Sequence, residues 1–153
     1  MNRKTVMIAA LSLAFAQGFC FSQGMTAKQL ADNAVSKESP DKAIEYLLQE
    51  VKKLENGAEK RSTYAFLGSI QESMSLYEDA QASYVAACGI AAGDAEGMPK
   101  KSSERLVLDA IRCALSAGEY ESADSFLNSA VRNSKSQEIQ ATIRLYEQWS
   151  VLS

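Results

Sequence analysis

The 153-residue sequence has no histidine, only two prolines, one tryptophan and three cysteines. Without histidine there is no Ser-His-Asp or Cys-His catalysis, no histidine-bearing zinc site and no near-neutral imidazole base. Runs of alternating Val, Ile and Thr are also missing, which argues against strands. No Gly-rich phosphate loop or nucleotide fingerprint is present. Basic residues never stand more than two together, so the clustered cations that bind nucleic acid or anionic lipid are lacking. These absences lead to the expectation of a protein that is not an enzyme, carries no cofactor and no metal, and has no nucleic-acid partner. What remains is 46% hydrophobic and 23% charged, enough apolar material for the core of one small domain.

Residues 1–22 read as a signal peptide. Arg3 and Lys4 make a cationic start, Thr5 to Ala16 form an apolar run short for a bilayer, and small residues follow. Cleavage fits after Ala16 or after Ser22, the latter preferred because it leaves a polar stretch behind; an uncleaved anchor is the competing reading. Cys20 raises acylation, but Gln17 and Phe19 stand where a lipobox has Leu and a small residue, so lipid anchoring is disfavoured. The expected location is periplasmic or extracellular, with no membrane span after cleavage. Removal of residues 1–22 takes two positive charges and no negative ones, moving the net charge from −3 to −5.

The remainder, 23–153, is rich in Ala, Leu, Glu, Lys and Ser with apolar residues three and four apart, the spacing of amphipathic helices. Helices are predicted near 26–37, 40–55, 60–75, 78–91, 103–117, 120–132 and 136–152. Thr26-x-x-Gln29 and Ser134-x-x-Gln137 fit the capping box, and Ser39-Pro40 fits an N-cap followed by proline. The stretch from Ala91 to Lys101, with Gly93, Gly97 and Pro99, reads as a loop.

Two segments superimpose without a gap. Leu76-Tyr77-Glu78-Asp79-Ala80-x3-Tyr84-x2-Ala87 matches Glu119-Tyr120-Glu121-Ser122-Ala123-x3-Leu127-x2-Ala130, and Pro40-Asp41-Lys42-Ala43-x3-Leu47 is a weaker third copy. Upstream of Ala80, Tyr64-x2-Leu67-Gly68 supplies an aromatic, a leucine and a small residue. In these elements the chain resembles the tetratricopeptide repeat (TPR) family, whose unit is a helix, a tight turn and a second helix. The resemblance covers about residues 24–133. The chain departs from the pattern at Gln71, where the family favours Tyr, at Ala92, where it favours Pro, and at Ile111, where it favours a small residue.

The resemblance implies an all-α fold, an α-solenoid of three helical hairpins (about 24–57, 61–94 and 104–137) closed by a capping helix at about 136–152. Ile139, Ile143, Tyr146 and Trp149 recur on that last helix at helical spacing. The family uses such a stack to grip a protein or peptide on the face lined by the first helix of each unit. Carried over by position, that lining falls on Lys28, Asp32, Ser62, Ala65, Ser69, Glu72, Arg105, Leu108 and Arg112. Of the Lys and Asn set by which some relatives hold a C-terminal carboxylate, only Lys28 has a counterpart. Arg105 and Arg112, two turns apart, suggest a joint contact with an acidic group.

Other residues point to structure. Asp94 and Glu96 lack the alternate oxygen ligands of a calcium loop. Glu78-Asp79 and Glu119/Glu121 sit in predicted first turns, where the helix dipole favours negative charge. Cys88 and Cys113 fall at opposite ends of neighbouring helices, beyond disulfide reach, so two buried thiols are expected. The expected function is that of an exported, non-catalytic scaffold or adaptor that mediates protein–protein interaction. The alternative is an envelope protein that binds a small molecule or assists transport.

Overall fold

The computed structural model describes residues 24–127 and 134–152. The expected signal peptide with Cys20, the last residues of the expected 120–132 helix, and Ala130 lie outside the described residues. Among those described the fold is all helical, without strands. The helices are α1 (Ala27–Val35), α2 (Pro40–Glu50), α3 (Ala58–Ser73), α4 (Tyr77–Cys88), α5 (Ser103–Ala117), α6 (Tyr120–Phe126) and α7 (Gln137–Leu152). None of them is long and apolar enough to cross a membrane.

The starts follow from local chemistry. Thr26 Oγ1 accepts from the Gln29 amide at 3.2 Å while Gln29 Oε1 accepts from the Thr26 amide at 2.9 Å, completing a capping box on α1. Ser39 accepts from the Lys42 amide, and Pro40 takes the first position of α2, where a missing N–H costs nothing. Helix α2 then tightens into a 3₁₀ turn at Val51–Lys53, so the expected 40–55 helix is shorter in its α-helical part. At α7 the cap is Ser136 instead of Ser134. Ser136 Oγ accepts from the Ile139 amide at 3.4 Å, and Ser134 Oγ receives the Ser136 amide at 3.2 Å.

The turns from α3 to α4 and from α5 to α6 have the same geometry. Ser75 (φ 62°) and Gly118 (φ 81°) both adopt the left-handed conformation that ends a helix. After Ser75, the Leu76 amide donates to Gln71 O at 2.9 Å; after Gly118, the Glu119 amide donates to Ala114 O at 2.8 Å. The following residues agree as well, Leu76 at φ −84°, ψ 66° and Glu119 at φ −89°, ψ 67°. Ser75 meets this requirement with a side chain, which costs about 1 kcal/mol that glycine avoids.

Every substantial helix pairing links elements that are neighbours or next neighbours in the chain: α1 with α2 and α3, α2 with α3, α3 with α4, α4 with α5, α5 with α6 and α7, and α6 with α7. Three apolar clusters follow that order. Leu30, Ala34, Ala43, Leu47 and Leu67 form the first. Ala80, Tyr84, Ala87, Leu106, Ala110 and Cys113 form the second. Leu108, Ile111, Leu115, Ala123, Leu127, Ile139 and Ile143 form the third. Complete burial of each such Leu or Ile contributes about 1.5–3 kcal/mol before entropy is counted.

The corresponding positions of the three sequence copies, Ala43, Ala80 and Ala123 with Leu47, Tyr84 and Leu127, are all buried. Gly68 lies against the Tyr84 ring so closely that a Cβ there would come within 2.9 Å of Cε1. Helices α3 and α4 approach closely because one position has no side chain and its neighbour has a large one. In α5 and α6 the corresponding pair is Ile111 with Leu127, so the bulk is shared between two aliphatic residues. Gln71, where the sequence departs from the repeat pattern, is buried, and its Oε1 accepts from Ser83 Oγ at 2.6 Å, which offsets part of the cost of burying an amide.

Candidate partner-binding face

The residues carried over as groove-lining sit on α1, α3 and α5 and divide into two groups. Lys28 and Asp32 pair with each other on the exposed side of α1 at 2.7 Å. Ser69 donates to Phe66 O of its own helix at 2.7 Å. Arg105 pairs with Glu138 of α7 at the surface. Leu108 is buried in the core of the third cluster and offers nothing to a partner. Ser62 is buried too.

Glu72 and Arg112 are brought together. Arg112 Nε donates to Glu72 Oε1 at 2.6 Å and its Nη2 donates to Oε2 at 2.8 Å, a bidentate fork between α3 and α5. Arg112 Nη2 lies 2.8 Å from Asp109 Oδ1 as well, and Tyr146 of α7 lies close enough to the guanidinium to interact with it. Tyr84 of α4 donates its hydroxyl hydrogen to Glu72 Oε2 at 2.9 Å. Lys101 donates to Asp109 Oδ2 at 2.5 Å and lies 4.9 Å from the centre of the Tyr84 ring.

The network joins four helices and one loop, with two carboxylates balanced by two cations. Burial works to raise the Glu72 pKa, but the hydrogen bonds and charge of Arg112, with help from Tyr84 and Lys101, hold it below the ordinary carboxylate value. Burial first, and then the neighbouring Glu72 charge, push the Tyr84 hydroxyl well above its ordinary pKa. Arg112 is raised chiefly by its hydrogen bond to Glu72.

Arg105 and Arg112 therefore do not converge on one vacant position, because each already holds a carboxylate of the same chain. Asp109, Tyr84, Tyr146 and Lys101 complete the network; the sequence had marked the two tyrosines only for packing and had not marked Asp109 or Lys101. Their signal was weak: Asp109 lies one turn before Arg112, but Tyr84, Tyr146 and Lys101 come from other elements.

The second constellation surrounds Arg61. The loop between α4 and α5 runs back across the start of α3: the Asp94 carboxylate pairs with Arg61, Lys101 O accepts from Arg61 Nη2 at 2.7 Å, and the Ala95 amide donates to Ser62 Oγ at 2.8 Å. The Ala95 side chain is buried, and the stem of Lys28 lies over Gly97. Asp94 thus balances an arginine that is only 3% exposed, which accounts for an acid in a glycine-rich loop without any cation. Among the described residues no three His, Cys, Asp or Glu side chains converge as metal ligands.

Cys88 and Cys113 are free thiols. Cys113 is buried in the second cluster, whereas Cys88 is only half-buried beside Ser103 O, so the expectation of two buried thiols holds for one of them. Burial, with the Glu72 charge nearby, pushes the Cys113 thiol up to about 12, and burial also raises Cys88.

What the geometry defines is a class, an all-helical chain in which successive helices pack on their neighbours. Comparison with known protein families, with curated proteins and with solved structures finds no match for this chain.

Proposed function

We propose that the protein is an exported, non-catalytic adaptor of the TPR type that holds an extended segment of another protein on the face formed by α1, α3 and α5. The observation that carries this reading is the repeated turn, in which Ser75–Leu76 and Gly118–Glu119 share conformation and hydrogen bonding 43 residues apart. It is supported by the buried Ala43, Ala80 and Ala123 at matching places and by helix pairings limited to near neighbours, as a short solenoid with α7 as its cap would have.

On this reading Glu72, Arg112 and Ser69 line the middle of the face and Lys28, Asp32 and Arg105 its two ends. The surface offers ion pairs that a partner can exchange for its own. The test is capture of a binding partner by the chain and by the variant Glu72→Arg/Arg112→Glu/Arg105→Glu, which keeps the central pair but reverses its direction. Loss of capture with an unchanged helical spectrum is expected; equal capture would remove this face from the account. Sequencing the N-terminus of the secreted or periplasmic form tests export and places cleavage after Ala16 or Ser22.

A second reading rests on a hollow of about 740 Å³ bounded by Met25, Leu30, Leu54, Lys53, Glu55 and Glu59. Its size suits a small organic molecule, as an envelope binding or transport-associated protein would require. Ligand-dependent thermal shifts suppressed by Leu54→Arg would favour it over the adaptor.

A further inference from the structure

We infer that residues 91–101 are an intramolecular ligand of the partner-binding face, and that Arg61 and Ser62 beneath them form a subsite for an extended peptide carrying an acidic residue followed by a small one. This rests on the adaptor reading and names the chemistry and regulation of that face.

The segment has no helix of its own and lies across the start of α3 much as a bound peptide would. Apart from Lys101 at its end and Gly97 against Lys28, it is anchored at two adjacent residues: the Asp94 carboxylate meets Arg61, and the next residue donates its amide to Ser62 while burying its methyl group. A carboxylate, a main-chain donor and a small side chain in succession are features of a peptide, so any segment with that order can replace them. Gly93 and Gly97 flank the anchored stretch, and a connection of 14 residues is long for a compact helical domain, where such length commonly serves function.

The fit is incomplete in one respect. Arg61 Nε is buried and has no acceptor, the one side-chain polar atom among the described residues in that condition. Asp94 engages Nη1 and Lys101 O engages Nη2, so the edge of the guanidinium that a carboxylate grips with both oxygens is only half used. An incoming carboxylate that spans Nε and Nη2, displacing the Lys101 carbonyl from the same edge, gains a charge-assisted hydrogen bond that the loop does not make. Competition by a partner is thereby favoured over the resident loop, and the loop screens the face from segments lacking the acid.

The probe is a fluorescent peptide reproducing residues 91–99, followed by anisotropy. Against wild-type chain, where the tethered loop competes, weak binding is expected; against Asp94→Asn/Ala95→Gln, which keeps loop length but cannot seat it, binding at least tenfold tighter is expected. The peptide with its Asp replaced by Asn, or addition of Arg61→Met to the variant, should abolish the gain. Equal affinity for wild type and variant, indifference to the peptide's Asp, or no binding to either would overturn the inference.

A measurement on unaltered chain guards against a misfolded variant. Excess peptide should speed tryptic cleavage after Lys100 and Lys101 as the loop lifts, and an unchanged rate would count against it. A partner captured equally by wild type and the loop variant, yet lost on reversal of Glu72, Arg112 and Arg105, sinks the subsite and leaves the adaptor standing.

Discussion

The α3–α4 and α5–α6 hairpins turn with the same dihedral angles and hydrogen bonds but fill their interiors by opposite means. Between α3 and α4 the glycine at position 68 meets the Tyr84 ring, a buried amide meets a hydroxyl (Gln71 and Ser83), and the Tyr84 hydroxyl reaches Glu72. The α5–α6 interior has Ile111, Leu115, Ala123 and Leu127, and its partners in α7 are Ile139 and Ile143. The difference teaches that the turn specifies the hairpin, while the contents of its interior are exchangeable if volume and hydrogen bonding are both conserved. It also separates their contacts: the polar hairpin shares with α5 the network that reaches the proposed binding face, and the apolar one anchors α7.

The strongest test of that exchange is to transplant it. Gly68→Ile should drive a side chain into the Tyr84 ring and destabilise the fold by about 3 kcal/mol, the upper range for overpacking, as read by urea denaturation. Gly68→Ile combined with Tyr84→Leu reproduces the Ile111–Leu127 pair and should recover at least half of the loss. Failure to recover would mean that the two interiors are not interchangeable.

A smaller effect is expected from the network. Arg112→Met leaves Glu72 and Asp109 without their shared cation; since the arginine is about a third exposed, solvent reduces the penalty to about 1–2 kcal/mol. The loss should shrink in Glu72→Gln/Arg112→Met, where the orphaned charge is reduced, and a double-mutant cycle from thermal melts measures the coupling.

The same pair, which ties the two hairpins together, makes the fold sensitive to acid. Because the Glu72 carboxyl is held below its ordinary value of 4.5 when folded, the unfolded chain takes up the proton first. The stabilisation is complete above pH 4.5 and is lost as the pH falls through the lower folded value. Stability measured against pH should therefore decline less steeply at the acid end for Glu72→Gln than for wild type. Parallel curves would show that Arg112 does not favour the charged form.

The smallest expected effects lie at the turns. Ser75→Gly should stabilise by about 0.5–1 kcal/mol and Gly118→Ala should destabilise by about 1 kcal/mol, because both positions require a positive φ that only glycine adopts freely. Equal and opposite shifts in melting temperature would confirm that the two turns are one design with different residues.

Much of the helical layout was legible because its signals are local. Ser39-Pro40, the Thr26–Gln29 box and apolar spacing of three and four each act within a turn of helix, so α1, α2 and α5 begin within a residue of expectation. The cap of α7 was misplaced by two residues because Ser134 and Ser136 are chemically equal, and only the path of the backbone chooses between them. Pairings between distant segments left no such trace. Asp94 was readable as a loop acid, but the arginine that receives it lies 33 positions earlier. Arg105 and Arg112 were readable as cations on one helix face, but Glu138 and Glu72, which occupy them, come from other helices.

The contact of Gly97 with Lys28 spans 69 positions of sequence, far more than the pairings between neighbouring helices. Chains whose contacts are local reach their folded state quickly, because little entropy is lost in closing each loop. Here most of the helices can assemble stepwise along the sequence, while fastening 91–101 over α1 and α3 must wait until both helices are in place. The strap is thus expected to close late in folding and to open before the helices it covers. Amide exchange at Ala95 should run faster than at Ala80, although both residues are buried.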